Sequence, residues 1–150
     1  MPISECCNVG VVCCETETLI PDLAGLMRKH HVGDVVVVEN RQDGTRVPLG
    51  IVTDRDIVIE TLAVELDAKV FTAGDIMSKP LVTVREDEGL VEGLRLMREH
   101  KIRRLPVVDG NGVLAGIVTA DDIVGLLTME LQLMSSVICE QPLQEGRLRR

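Results

Sequence analysis

The chain has 150 residues, of which 45% are hydrophobic and 27% charged, and it carries a net charge of -8. Such a composition is that of an ordinary globular domain, long enough to enclose a sizeable core. The acidic balance argues against nucleic acid, whose phosphates demand a basic surface, and Phe71 as the single aromatic leaves no platform on which bases could stack.

The N-terminus, "MPISECCNVGVV", has no basic stretch followed by an apolar one, so no secretory leader is expected. No apolar run is expected to span a bilayer, and the chain reads as soluble and cytoplasmic, without a membrane partner. Cys6, Cys7, Cys13, Cys14 and Cys139 make an odd set of thiols without a CxxC pattern. They read as reduced, structural thiols. Metal binding, with His30 or His31, and a redox disulfide stay open as alternatives.

A strand is expected over Val9 to Cys14, followed by the acid- and Thr-rich "ETET", which suits the positive end of a helix dipole. Apolar residues at helical spacing predict a helix over 18–30. Next come two strands, "VGDVVVVE" and "LGIVT", joined by a turn containing Asp and Gly, and a second helix beginning at Thr53. A connector, 64–72, leads into the same order again. Here the strand is Leu81 to Val84, the acidic segment is "REDE", the helix covers 88–100, the hairpin is "IRRLPVVD" with "AGIVT", and a helix starts at Thr119. Slid by 70, "MRKHHVGDVVVVE" lies on "MREHKIRRLPVVD"; after the longer first turn the offset is 66. The units run over 3–63 and 73–133, and 134–150 reads as a tail, frayed from Gln141 onward.

The expected architecture is therefore a mixed α/β (α+β) fold of two β-α-β-β-α repeats packed as an intramolecular pseudo-two-fold dimer. Each small sheet has a face that the other repeat can cover. The most similar stretches are "GIVTDRDIV" at 50–58 and "GIVTADDIV" at 116–124. Thr followed three residues later by Asp is close to a capping box, so the phrase can be helix punctuation, with Gly50 and Gly116 permitting close backbone approach. It also places a strand end against a helix start twice, in the kind of corner where ligands collect. There a carboxylate can accept from ribose hydroxyls while Thr and the helix amides hold a phosphate.

Two such units, each ending in G-h-h-T-x-x-D and accompanied by "DIMSKPLVTV" and "HKIRRLPVVD", resemble a tandem CBS domain pair (the cystathionine β-synthase domain, or Bateman module). The resemblance covers roughly 3–134 and looks like that of small stand-alone bacterial proteins made of one pair. It implies a non-catalytic regulatory module. Such a module binds an adenosine-containing ligand (AMP, ADP, ATP or S-adenosylmethionine) between the repeats, has no obligatory cofactor, pairs as a homodimer through its helices, and signals to a protein partner. It further implies Thr53 and Asp56 in one corner, Thr119 and Asp122 in the other, and Ile76, Val82 and Pro106 against the base. Arg55 either reaches a phosphate or lies on the helix surface. Arg104 either attracts a phosphate or is an exposed strand-edge residue, whereas Asp34, its counterpart, would repel one. The competing reading is a redox- or metal-responsive interaction protein built on the N-terminal cysteines.

Overall fold

The computed structural model describes the backbone of residues 1–148 and the side chains of residues 1–139. The elements follow the expected order twice. The first repeat contains β1 (Cys13–Cys14), α1 (Ile20–His30), β2 (Asp34–Asn40), β3 (Arg46–Thr53) and α2 (Asp54–Ile57). After the connector come α3 (Ala73–Ile76), β4 (Val84–Arg85), α4 (Leu90–His100), β5 (Arg104–Val108), β6 (Leu114–Thr119) and α5 (Ala120–Leu148).

Each repeat forms a three-stranded sheet, β1-β2-β3 and β4-β5-β6, with the first pair parallel and the hairpin antiparallel. The registers agree in detail: Asp34 pairs with Thr53 as Arg104 pairs with Thr119, and both hairpins carry an irregularity at the same place, after Val37 and after Val107. Both long helices end alike, with His31 (φ 54°) and Lys101 (φ 55°) in the left-handed conformation that closes a helix. Basic residues Arg28, Lys29 and His30, and Arg98 and His100, fill the last turns, where a cation suits the dipole.

Two cores lie under the sheets and a third joins them. Ile20, Leu23, Met27, Val35, Val37 and Val52 fill the first, and Val84, Leu90, Met97, Leu105, Val107 and Val118 the second. Val36, Val38, Leu114 and Ile117 form the joint, with Val11, Cys13 and Ile51 at its margin. With hardly an aromatic available, branched aliphatics supply the volume.

The entry segments are exchanged between the repeats. Ile3, fully buried, packs in the second core, and Asn8 pairs with Ile117 on the edge of β6. Reciprocally, Ala73 is buried in the first core with Ile76 and Met77 beside it, and Leu19 bridges to Thr72. The glycines of the repeated phrase make room for these straps. A Cβ on Gly50 would lie 2.6 Å from Met77 Sδ, and one on Gly116 would lie 2.7 Å from Cys7 Sγ and 3.0 Å from the Asn8 carbonyl oxygen.

Four expectations change. The opening strands are shorter than expected, two residues each: β1 pairs only with Val36 and Val37 of β2, and β4 only with Val107 and Val108 of β5. The helix opened by Thr53 gives way after one α-turn to a π-helical stretch, Val58–Leu62. The tail is not frayed from Gln141, since α5 continues through Leu148; Arg149 and Arg150 lie outside the described residues. Within α5, Ala120–Cys139 is long and apolar enough by length and composition to cross a membrane, with a mean hydropathy of 1.4. The expectation that no apolar run approaches such length therefore changes for this helix, although Asp121, Asp122 and Glu130 lie within it. Its Leu, Met, Val and Ile residues stand out on the part of the helix that extends past the core.

Candidate functional site: two clefts between the repeats

The pseudo-symmetry produces two clefts of unequal size and charge. The larger, about 430 Å³, is lined by Thr53 to Asp56 at the β3–α2 junction, by Ser78 and Pro80 to Val82, and by Lys101 to Arg104. The smaller, about 190 Å³, takes Thr119 and Asp122 from the β6–α5 junction, with Asn8, Val12, Val32, Asp34 and Arg104. The walls correspond at the two repeat offsets: Ser78 to Asn8, Val82 to Val12, Ile102 to Val32, and Thr53 and Asp56 to Thr119 and Asp122.

Both corners are capping boxes. Thr53 donates to Asp56 Oδ2 from its amide at 2.8 Å and from its hydroxyl at 2.7 Å, and that hydroxyl accepts from the Asp56 amide at 3.2 Å. Thr119 and Asp122 repeat the arrangement at 3.0, 2.7 and 3.1 Å. One carboxylate oxygen is thereby spent on the helix start, while Asp56 Oδ1 makes no hydrogen bond among the described residues. The corner can cap and still present an acceptor.

The corner donors expected to hold a phosphate are engaged within the protein in this geometry. The Thr53 hydroxyl proton is committed to Asp56. The Asp54 amide donates to the Gly33 carbonyl oxygen, the Arg55 amide to Asp54 Oδ1, and the Asp56 amide to Thr53 Oγ1. Donors already satisfied give an incoming anion little. Arg55, Lys101 and Arg103 stand in the larger cleft, and Arg103 also reaches Asp121 at 2.9 Å.

Arg104 belongs to both clefts and is not a bare strand-edge residue: its Nε lies 2.9 Å from Asp34 Oδ2. That is ion-pair distance without hydrogen-bond alignment, for this buried oxygen has no hydrogen-bond partner among the described residues. Burial pushes the Asp34 carboxyl above its ordinary range, and the charge of Arg104 opposes the rise without cancelling it.

Of the other expected residues, Val82 lines the larger cleft and also packs on the second core. Ile76 packs against the first core, and Pro106 is buried in β5 opposite Ile117, so both serve packing rather than the cleft walls. Sequence reasoning missed Asn8, Ser78, Pro80, Lys101 and Ile102. The last four lie within the two stretches that carried the family resemblance, "DIMSKPLVTV" and "HKIRRLPVVD", and the 70-residue offset carries Ser78 onto Asn8.

The four N-terminal thiols lie in surroundings that disfavour the thiolate. Burial pushes Cys6, Cys7 and Cys13 up and takes Cys14 to about 11. All five cysteines are unbridged, and among the described residues no three His, Cys, Asp or Glu side chains are grouped to hold a metal ion.

Paired β-α-β-β-α units clasping two clefts, each with a Thr-x-x-Asp corner, define a tandem ligand-binding module. The CBS domain family matches residues 3–62 and 73–128, and the chain belongs to that family. It is 44% identical over 108 residues to the uncharacterized protein MK0525 of Methanopyrus kandleri, 72% of this chain but only 53% of that one, so the chain spans about half of that relative. Hypoxic response protein 1 of Mycobacterium tuberculosis is 37% identical over 116 residues, covering 77% of this chain and 78% of its own. Among solved structures, the CBS domain protein PAE2072 of Pyrobaculum aerophilum, complexed with AMP, superposes with a TM-score of 0.76. The two are 27% identical, over 90% of this chain and 99% of the other.

Proposed function

We propose that the chain is a non-enzymatic sensor that takes an adenine nucleotide in the larger cleft and passes the resulting change of shape to a protein partner. The observation that carries this reading is the gathering of Arg55, Lys101, Arg103 and Arg104 around the corner that presents Asp56. In this reading Asp56 Oδ1 accepts from the ribose hydroxyls. The base lies against Ile51, Leu81, Val82 and Ile102, and the cations meet the phosphate. The AMP bound to PAE2072, a protein similar over nearly its whole length, supports the choice of ligand class. The smaller cleft brings two acids, Asp34 and Asp122, against one shared arginine, which disfavours phosphate there.

The chain acts as a cytoplasmic homodimer in this reading. Val124, Leu127, Leu131, Met134 and Ile138 recur on α5 at alternating three- and four-residue steps and are all exposed, the pattern of a helix-pair seam. A membrane span fits less well. Asp121 and Asp122 sit in the first turn and Ile123 is packed in the core, so the apolar stretch proper covers 124–139 with Glu130 inside it. At 1.5 Å per residue that is about 24 Å, short of a hydrocarbon layer of about 30 Å.

Calorimetric titration with AMP, ADP, ATP and S-adenosylmethionine tests the ligand reading. Saturable binding of an adenine nucleotide is the expected result. Folded protein that responds to none of the four rules it out.

A further inference from the structure

Arg104 is within reach of two occupants at once. Its Nε faces Asp34 at 2.9 Å in the smaller cleft. Its Nη2 lies near Gly33 and Asp54: a Cβ built on Gly33 would be 3.6 Å from Nη2 and 3.3 Å from Asp54 Oδ2. Asp54 lines the larger cleft. The pair stands at ion-pair distance, and Arg104 offsets only part of the cost of burying the Asp34 carboxylate. The contact is a single Nε–Oδ2 approach, unlike the paired fork that Arg85 makes to Asp87.

We propose that Arg104 is a switch shared by the two clefts. An anionic group entering the larger cleft draws the guanidinium away from Asp34, and the uncovered carboxylate then keeps a second anion out of the smaller cleft. This rests on the reading of the larger cleft as the nucleotide site. The repulsion is strong where Asp34 sits, among Val11, Val12 and Val36 and on the same side as Asp122, because a carboxylate stripped of its counter-charge is poorly screened there. Two corners of the same design therefore bind one phosphate-bearing ligand per chain. A neutral nucleoside, which neither competes for Arg104 nor meets repulsion, remains welcome in the smaller cleft. The coupling is reciprocal, so whatever holds Arg104 on Asp34 weakens nucleotide binding on the other side.

The test is calorimetric titration of AMP into the wild type, Asp34→Asn, Arg104→Gln and the double variant, with circular dichroism to establish that each is folded. Asp34→Ala replaces Asp34→Asn if the latter does not fold. The wild type is expected to take one AMP per chain, and Asp34→Asn to bind it roughly tenfold more tightly, within the usual span of coupling between sites. In the Arg104→Gln background the tightening is expected to vanish, since the two residues act through one contact. Two equal AMP sites in the wild type overturn the switch. So does a tightening that persists without Arg104, or none at all in Asp34→Asn. No AMP binding to the wild type sinks the nucleotide reading and the switch together, whereas one site indifferent to Asp34 sinks the switch alone.

Discussion

Asp56 carries two duties on one carboxylate, and substitution separates them. Asp56→Ala removes the acceptor for the Thr53 amide and hydroxyl, which costs about 1 kcal/mol of helix capping. Asp122→Ala removes the matching bonds at a similar cost of about 1 kcal/mol. The two variants should thus lose similar thermal stability, while AMP affinity collapses only in Asp56→Ala. Equal loss of affinity in both would place the ligand in the wrong cleft. Asp34 makes a second residue-scale prediction, through pH. Its folded-state pKa is raised by burial, so the fold favours the protonated acid. The residue then contributes stability below the ordinary carboxylate value of about 3.9 and loses that contribution as the pH rises through the folded value. Asp34→Asn, neutral throughout, is expected to gain on the wild type in melting temperature between pH 4 and pH 7. A gap that stays flat or narrows over that range contradicts the assignment.

At the scale of elements, the repeat was legible because its signals are local. Helix periodicity, the acidic segments before α1 and α4, and the paired hairpins all follow from short-range rules, and the 70-residue offset supplied the second copy without further argument. The strap exchange was not legible. That Ile3 belongs with Val84 and Leu90, and Ala73 with Leu23, depends on which core each apolar residue meets in space, and composition does not encode that. Gly50 and Gly116 pointed to a close approach but could not name the approaching chain. Gly116→Ala tests the finding: a methyl group there meets both a side chain and the Asn8 carbonyl oxygen, and crowding of this kind costs about 1–3 kcal/mol. Chemical denaturation should register the loss. At the corners, the Thr-x-x-Asp spacing revealed the cap, but the engagement of the Asp54 to Asp56 amides depends partly on Gly33, a neighbour only in space, and in the proposed reading it leaves the phosphate to the cations.

For the molecule as a whole, the two halves are related in backbone and unlike in charge. Asp34 and Arg104 occupy equivalent positions at the starts of β2 and β5, and together with Arg55, Lys101 and Arg103 in the larger cleft this difference makes the clefts unequal in charge. The exposed seam on α5 concerns the assembly. Replacing Leu131 and Met134, both more than half exposed, with Glu leaves the cores untouched and puts charge along the line where a second copy would sit. Light scattering of that double variant should report a monomer where the wild type gives a dimer, with the melting of the fold little changed. A variant that keeps the wild-type mass moves the interface elsewhere.

The exchanged straps also bear on what happens when the chain is cut. The connector that joins the repeats has exposed residues at Val64 to Asp67, the kind of place where a protease nicks first. In a protein built of beads on a string, such a nick would let the halves drift apart. Here each fragment leaves with a piece of the other's wall: Ile3 sits in the second half's core, and Ala73 in the first's. The nicked molecule is hooked to itself at both ends, and neither fragment is a finished object without its sibling.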